Sequence, residues 1–327
     1  MTPPMQPESN LTPRQNALWP GATASPLADW RFEHEYYDAV REWIWERIEC
    51  NDEPVIVVVL GATGTGKTTL REQVQCEIVK RRAAELAANP GIIPFVYGET
   101  VFHPRVGVDW AGLLRQWLEC GGDILVDTKT SLPALQKAVT SMLRHRSPSI
   151  ASVDEASVLL GKINSSSTDT LKTNINYLKG LGNMSQTHLG LFGDYELGRL
   201  AQISGQLDRR CYFGHLPPYP DATDDFRKAL NAFEQRFSEF GVEAELRVNA
   251  DMLLKGCVGC IGILRRWLME AYIKTRHKHA PITKEVLLQT HFPAAQIMKW
   301  RAEIAEGASR VAWMKDVAPG SVYDPRG

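Results

Sequence analysis

The segment GATGTGKT at residues 61–68 constrains this chain more than any other, because GxxxxGK[ST] needs a strand before it and a helix after it. Both flanks comply. Val55, Ile56, Val57, Val58, Val59 and Leu60 form an unbroken apolar run, the pattern of a strand buried on both faces of a parallel sheet. Beyond the loop a helix is expected to reach about residue 88, where Asn89, Pro90 and Gly91 end it. In such a loop the glycines let the backbone curl so that its N–H groups face a phosphate, and the helix N-terminus adds positive potential. Gly61, Ala62, Thr63, Gly64, Thr65, Gly66, Lys67, Thr68 and Thr69 are therefore the candidate ATP-binding stretch. Lys67 suits the β- and γ-phosphates, and the Thr68 hydroxyl suits Mg²⁺.

The surrounding pattern extends this into a domain. Residues 30–50 place Tyr36, Val40, Trp43, Ile44 and Ile48 at helical spacing, and further strands are expected at 92–97, 150–153, 189–192 and 211–213. Helices are expected at 110–119 and 132–144. Strands alternating with helices imply right-handed crossovers and a sheet covered on both faces. After the PPYP cluster at 217–220 only helices follow, at 224–240, 250–255, 261–276 and 283–290. The expected fold is α/β: a five-stranded parallel sheet sandwiched by helices, plus a C-terminal all-helical lid. The expected divisions are an arm at 1–29, flexible by composition, an αβα domain at 30–216, a lid at 217–299 and a tail at 300–327. The tail begins helical and ends in VAPGSVYDPRG, which reads as unstructured in isolation.

Composition narrows the partners. A length of 327 residues fits one large domain with a smaller one, and a net charge of −1 supplies no overall field toward nucleic acid or an anionic membrane. DNA binding must then come from local patches, or from patches repeated around an assembly. No apolar stretch spans a membrane and the N-terminus lacks the order of a signal peptide, so no membrane partner and a cytoplasmic location are expected. Of the six cysteines only Cys257 and Cys260 are closely spaced. With no second ligand pair for zinc, they read as buried reduced thiols.

An acidic partner for the loop is supplied by SIASVDE at 149–155. Asp154 would hold Mg²⁺ through water, and Glu155 would orient and deprotonate an attacking water. The same pair also reads as a helix cap after a strand. Arg210, beside Arg209, precedes the last strand, where an arginine can face a neighbouring subunit's γ-phosphate; the alternative is a surface pair. Arg265 opens a lid helix after Gly262 and either reaches the same phosphates or forms a surface ion pair.

Together, the loop, the distant Asp-Glu, an arginine before the fifth strand and Gly-x-x-Arg in a helical lid resemble AAA+ ATPases. More narrowly, the chain resembles the TnsC/TniB group of transposon-encoded AAA+ regulators over residues 30–275. The features are FEHEYY at 32–37, VVVLGATGTGKTTL at 57–70, LFGDYEL at 191–197 and QLDRRCYFGHLPPY at 206–219. The resemblance implies an ATP-dependent homo-oligomer, ring or filament, on double-stranded DNA, connecting a target-site selector to a transposase. It makes Lys67 and Thr68 the Walker A residues, Asp154 and Glu155 Walker B, Arg210 the finger and Arg265 the lid sensor. Asp194 departs from the pattern: it puts an acid where such proteins place a neutral polar sensor, and an acid near a γ-phosphate repels it.

The same resemblance points to DNA contacts after the second strand and in the next helical hairpin. Arg105, Lys129, Thr130 and Ser131 are the candidates there. The clusters at 80–82 and 277–279 read as solvated helix faces. Two other functions fit a phosphate loop. A protein-remodelling AAA+ ATPase would present an apolar loop after the second strand, for which Val101 and Phe102 qualify. A small-molecule P-loop kinase would have no need of Arg210 or of the helical lid.

Overall fold

The computed structural model describes residues 35–103, 107–122, 129–160, 167–202, 210–220, 222–276 and 280–312, with Pro26, Leu27, Trp30, Asp127, Val322 and Tyr323. Strand β1 (Ile56–Leu60) is buried along its whole length because it is central. It pairs in parallel with β6 (His188–Gly193) on one side and β7 (Cys211–His215) on the other, with Val58 level with Leu191 and Phe213. Outward from β6 lie β5 (Ile150–Asp154) and then β2 (Phe95–Glu99), also parallel. The short hairpin β3 (Phe102–His103) and β4 (Gly107–Val108) stands apart from this sheet.

The two sheet faces have separate cores. Val55, Val57, Val59, Phe192 and Tyr212 pack beneath α1 (Glu35–Glu49) and α2 (Lys67–Arg81). Ile56, Val58, Leu60, Val153, Leu191 and Phe213 face the other way, in the core shared by α4 (Trp110–Cys120), α5 (Leu132–Arg146) and α6 (Ser167–Ser185). The period-two alternation of strand side chains thus feeds both helical layers.

Several boundaries differ from the sequence reading. Strand β2 begins at Phe95 rather than at residue 92, because Pro94 has no N–H to give the ladder and only its carbonyl is used, by the Ser149 N–H at 2.9 Å. The helix after the loop breaks at Arg82 (φ −94°, ψ 12°), and α3 (Ala83–Ala88) continues separately. Arg82 is not a solvated residue: its guanidinium reaches the Ser147 carbonyl and Ser149 Oγ, each at 3.0 Å, and pairs with Glu85. Helix α6 was not expected from its Ser-, Asn- and Gly-rich sequence; it forms because Ile175, Leu178 and Leu181 recur every third residue and are buried.

Beyond residue 220 come α7 (Asp224–Glu239), α8 (Ala250–Cys257), α9 (Ile261–Thr275), α10 (Lys284–Gln289) and α11 (Ala294–Arg310). Helix α11 runs through the division expected at 299–300. It is anchored at Gly307, where any Cβ would collide with the Tyr195 ring, and by an ion pair between Arg310 and Glu196. In the tail, Val322–Tyr323 forms β8, antiparallel to β7, where no structure was expected. Cys257 and Cys260 are buried, and burial pushes both thiols up to about 12. Among the described residues no helix is long and apolar enough to cross a membrane. Of the arm expected at 1–29 only Pro26 and Leu27 are among the described residues, and the cluster at 277–279 lies outside them.

Candidate nucleotide site

The loop between β1 and α2 takes its shape from two left-handed glycines, Gly64 (φ +83°) and Gly66 (φ +103°). Gly66 immediately precedes the first turn of α2, so the free N–H groups of that turn open toward the loop. The Tyr37 ring closes the other side of Gly66, and its hydroxyl donates to the Thr65 carbonyl. Thr65 Oγ1 donates to the Ala62 carbonyl at 2.9 Å. The lid touches the loop directly, with the Gly262 N–H donating to the Gly64 carbonyl at 2.7 Å.

Lys67 Nζ donates to the carbonyls of Gly61 (2.8 Å) and Ala62 (2.9 Å). Burial lowers its pKa, against the pull of the nearby Glu155, Asp194 and Asp154 carboxylates. A cavity of about 340 Å³ opens beside it. Gly66, Thr68, Thr69, Asp154 and Glu155 line one side, and Trp30, Tyr37, Phe233 and Arg265 also face it. Trp30 and Phe233 meet edge to face, their ring centres 4.9 Å apart.

Asp154 ends β5, and the Glu155 N–H donates to its Oδ1 at 3.0 Å. Glu155 has a left-handed backbone (φ +50°), and its carbonyl accepts from Thr100 Oγ1 at 2.7 Å and from the Val158 N–H at 3.1 Å. Burial raises the Glu155 pKa; Asp154, Glu99 and Asp194 add to the rise, while Lys67 opposes it. A carboxylate raised in this way takes up a proton more readily than a free glutamate does, as a general base requires. Thr68 and Asp154 bring a hydroxyl and a carboxylate to one cavity, the all-oxygen donor chemistry that Mg²⁺ takes.

Solved structures share the architecture. The chain superposes on the ORC2 protein of Aeropyrum pernix in its ADP form with a TM-score of 0.56 at 16% identity, over 80% of this chain and 69% of that one. For the ORC1 protein of Aeropyrum pernix in complex with DNA the TM-score is 0.53 at 17% identity, covering 85% and 68%. For Cdc6p of Pyrobaculum aerophilum it is 0.51 at 16% identity, covering 80% and 67%. No protein-family model and no curated protein matches the chain. The shared fold is a parallel sheet covered by helices on both faces, with a helical region following it. At such identities the likeness concerns the fold alone.

The remaining candidates fall in different places. Arg265 lines the cavity, and its guanidinium donates to the Leu27 carbonyl. Arg210 is at the opposite end of the sheet: its carbonyl accepts from the Ile56 N–H at 2.7 Å, at the start of β1, whereas the loop follows the strand's end. Its guanidinium binds Asn183 Oδ1 at 2.7 Å and pairs with Glu53. Asp194 is turned to local work: its Oδ1 accepts from Ser157 Oγ (2.8 Å) and the Glu196 N–H (2.8 Å), capping the 3₁₀ turn Tyr195–Gln202. It lines a second cavity of about 300 Å³, with Ala62, Thr63 and Arg310, instead of the first.

Among the DNA candidates, Lys129 and Ser131 are exposed and Thr130 is half-buried, in a turn where the Lys129 N–H donates to Asp127 Oδ1 at 2.9 Å. Arg105 lies outside the described residues. Val101 and Phe102 are exposed at the start of the hairpin. Tyr37 and Arg71 were missed in the sequence. The repeat of Leu70, Val74 and Ile78 along one side of α2 gives no sign that neighbouring Arg71 is buried as well.

Proposed function

We propose that this chain is an AAA+ ATPase that binds ATP with Mg²⁺ between its sheet and its helical lid. The observation that carries this reading is the meeting of Gly66, Thr68, Asp154 and Glu155 in one cavity, beside Lys67. Lys67 would leave its loop carbonyls for the β- and γ-phosphates, and the open N–H groups at the start of α2 would hold the phosphate oxygens. Thr68 and Asp154 would hold Mg²⁺, which neutralises phosphate charge when bound. Glu155 would take the proton of the attacking water. Arg265 would reach the phosphates from the lid by exchanging its Leu27 carbonyl, and Arg210 would serve the site of a neighbouring copy.

The finer reading is an ATP-dependent homo-oligomer on double-stranded DNA that regulates transposition, between a target selector and a transposase. It is supported by the sequence features shared with the TnsC/TniB group and by exposed Lys129 and Ser131, which a helical assembly would repeat along a duplex. Protein remodelling is the second reading, favoured by exposed Val101 and Phe102.

Electron microscopy with duplex DNA and a non-hydrolysable ATP analogue separates these readings. Rings or filaments threaded by DNA are expected for the wild type and none for Lys67→Ala, which should also lose ATP binding in titration. Near-wild-type ATP affinity in Lys67→Ala would remove the nucleotide assignment. Nucleotide-dependent rings that ignore DNA would favour protein remodelling.

A further inference from the structure

Beside Asp154 lies a cation that none of these roles uses. Arg71 is on α2, three residues beyond Thr68, and is only 6% exposed. Its Nε donates to Asp154 Oδ2 at 3.3 Å, and its guanidinium carbon is 4.7 Å from the centre of the Tyr97 ring. With the Glu155 N–H on Oδ1, both oxygens of Asp154 are tied, each keeping a lone pair for a further donor. The same cavity is lined by Glu72, Glu99 and Glu155. Four carboxylates would repel a polyphosphate in the absence of a divalent cation, and Asp154, with its side chain only 13% exposed, is the least screened by solvent.

We propose that Arg71 is a positioning residue for Asp154, fixing its carboxylate and offsetting its charge so that nucleotide can dock before Mg²⁺ does. This rests on the ATP-site reading above. Once Mg²⁺ is bound with the phosphates, its own charge compensates Asp154 and the contribution of Arg71 shrinks. The effect of removing Arg71 therefore depends on metal, which the loss of a merely structural contact would not.

Calorimetric titration with ATP, in excess Mg²⁺ and in excess EDTA, tests the proposal on wild type, Arg71→Gln, Arg71→Lys, Asp154→Asn and the Arg71→Gln/Asp154→Asn double variant. Arg71→Gln should lose about tenfold or more in affinity in EDTA but about twofold or less in Mg²⁺. Arg71→Lys should recover most of the EDTA loss, because it restores the charge. In the Asp154→Asn background, Arg71→Gln should cost clearly less in EDTA than in the wild-type background, since the nearer charge is gone and only Glu72, 3.8 Å from the guanidinium, remains. Equal losses with and without Mg²⁺, or a tenfold EDTA loss that persists in the Asp154→Asn background, would overturn the proposal. Should Arg71→Gln fail to fold, the double variant, which lacks the buried aspartate charge, should fold; a double variant that also fails, or that loses tenfold in EDTA relative to Asp154→Asn, would overturn the proposal. A wild type that binds no ATP in either buffer would instead overturn the ATP-site reading itself.

Discussion

Residue by residue, the site divides into contacts that are local in the chain and contacts that are not. The phosphate loop is legible because its chemistry is set by covalent spacing: Gly64, Gly66, Lys67 and Thr68 are fixed relative to one another before any packing occurs. Tyr37 meets Thr65 across 28 residues and Arg71 meets Asp154 across 83, and no spacing rule reaches that far. Asp194 illustrates a partial reading. Its charge marked it as unfit for a neutral sensor, while its actual task, capping a 3₁₀ turn with Ser157, required the fold to be seen. The candidacy of Glu155 as a base was legible from its place after Asp154, but its environment was not. Because burial and three neighbouring carboxylates hold its pKa above the ordinary 4.5, the proton-accepting form is lost at a higher pH than for a free glutamate. Turnover should therefore fall on acidification at a higher pH than the titration of a free glutamate would give, and Glu155→Gln should bind ATP with no turnover at any pH. A rate profile with no acid limb above the titration range of a free glutamate, or wild-type turnover in Glu155→Gln, would take Glu155 out of the role.

Among the elements, those with one dominant signal were legible. Strand β1 was read from an unbroken apolar run and α1 from its apolar stripe, of which Val40, Trp43, Ile44 and Ile48 are buried. Elements held by partners distant in sequence were not. Helix α6 sets its spaced apolar residues among Ser, Thr, Asn and Gly, α11 depends on a glycine fitting the Tyr195 ring, and β8 pairs with the outer edge of β7. Two core strands also carry a titrating weakness. His188 Nδ1 on β6 accepts from the Val55 N–H at 3.2 Å, and His215 Nε2 on β7 lies 3.2 Å from the Tyr195 hydroxyl. Burial lowers both to about 4 from 6.5. Between those values the unfolded chain binds protons that the folded chain refuses, so stability should be full above pH 6.5 and fall as the pH drops toward 4. Each histidine contributes a slope of roughly 1 kcal/mol per pH unit within that window. Glu155, with its raised pKa, acts in the opposite sense, but it is one group against two. Urea unfolding from pH 7 to pH 4 should show the decline, and His215→Gln, if folded, should show a shallower one. A slope unchanged by that substitution would mean that His215 is already protonated in the folded protein.

At the scale of the whole molecule, the proposed ATP site and Arg210, the arginine proposed to complete it, are not in reach of each other. Arg210 is level with the start of β1 and the loop follows its end, a separation of about 17 Å for five strand residues. Rotamer changes of one side chain do not cover that distance, so any γ-phosphate met by Arg210 must belong to another copy of the chain. Within its own copy, Arg210 is occupied by Glu53 and Asn183 at the surface, partners that a docking copy can replace. Exposed ion pairs of this kind are worth little, which keeps the exchange inexpensive. It follows that Arg210→Ala should leave ATP affinity of the dilute protein unchanged while weakening both assembly and turnover. Glu155→Gln should assemble and bind ATP but not hydrolyse it. Mixing these two inactive variants separates action between copies from action within one. A site in an Arg210→Ala copy still has its Glu155, and a Glu155→Gln neighbour still offers its Arg210. With random mixing at equal amounts, about one quarter of the directional interfaces in a ring or filament carry both groups. ATPase activity should therefore reappear in the mixture, to about a quarter of the wild-type level at equal total protein, and vanish on dilution below the assembly threshold. A mixture as inactive as its two components, with ATP binding and co-assembly both verified, would mean that Arg210 serves no site beyond its own copy.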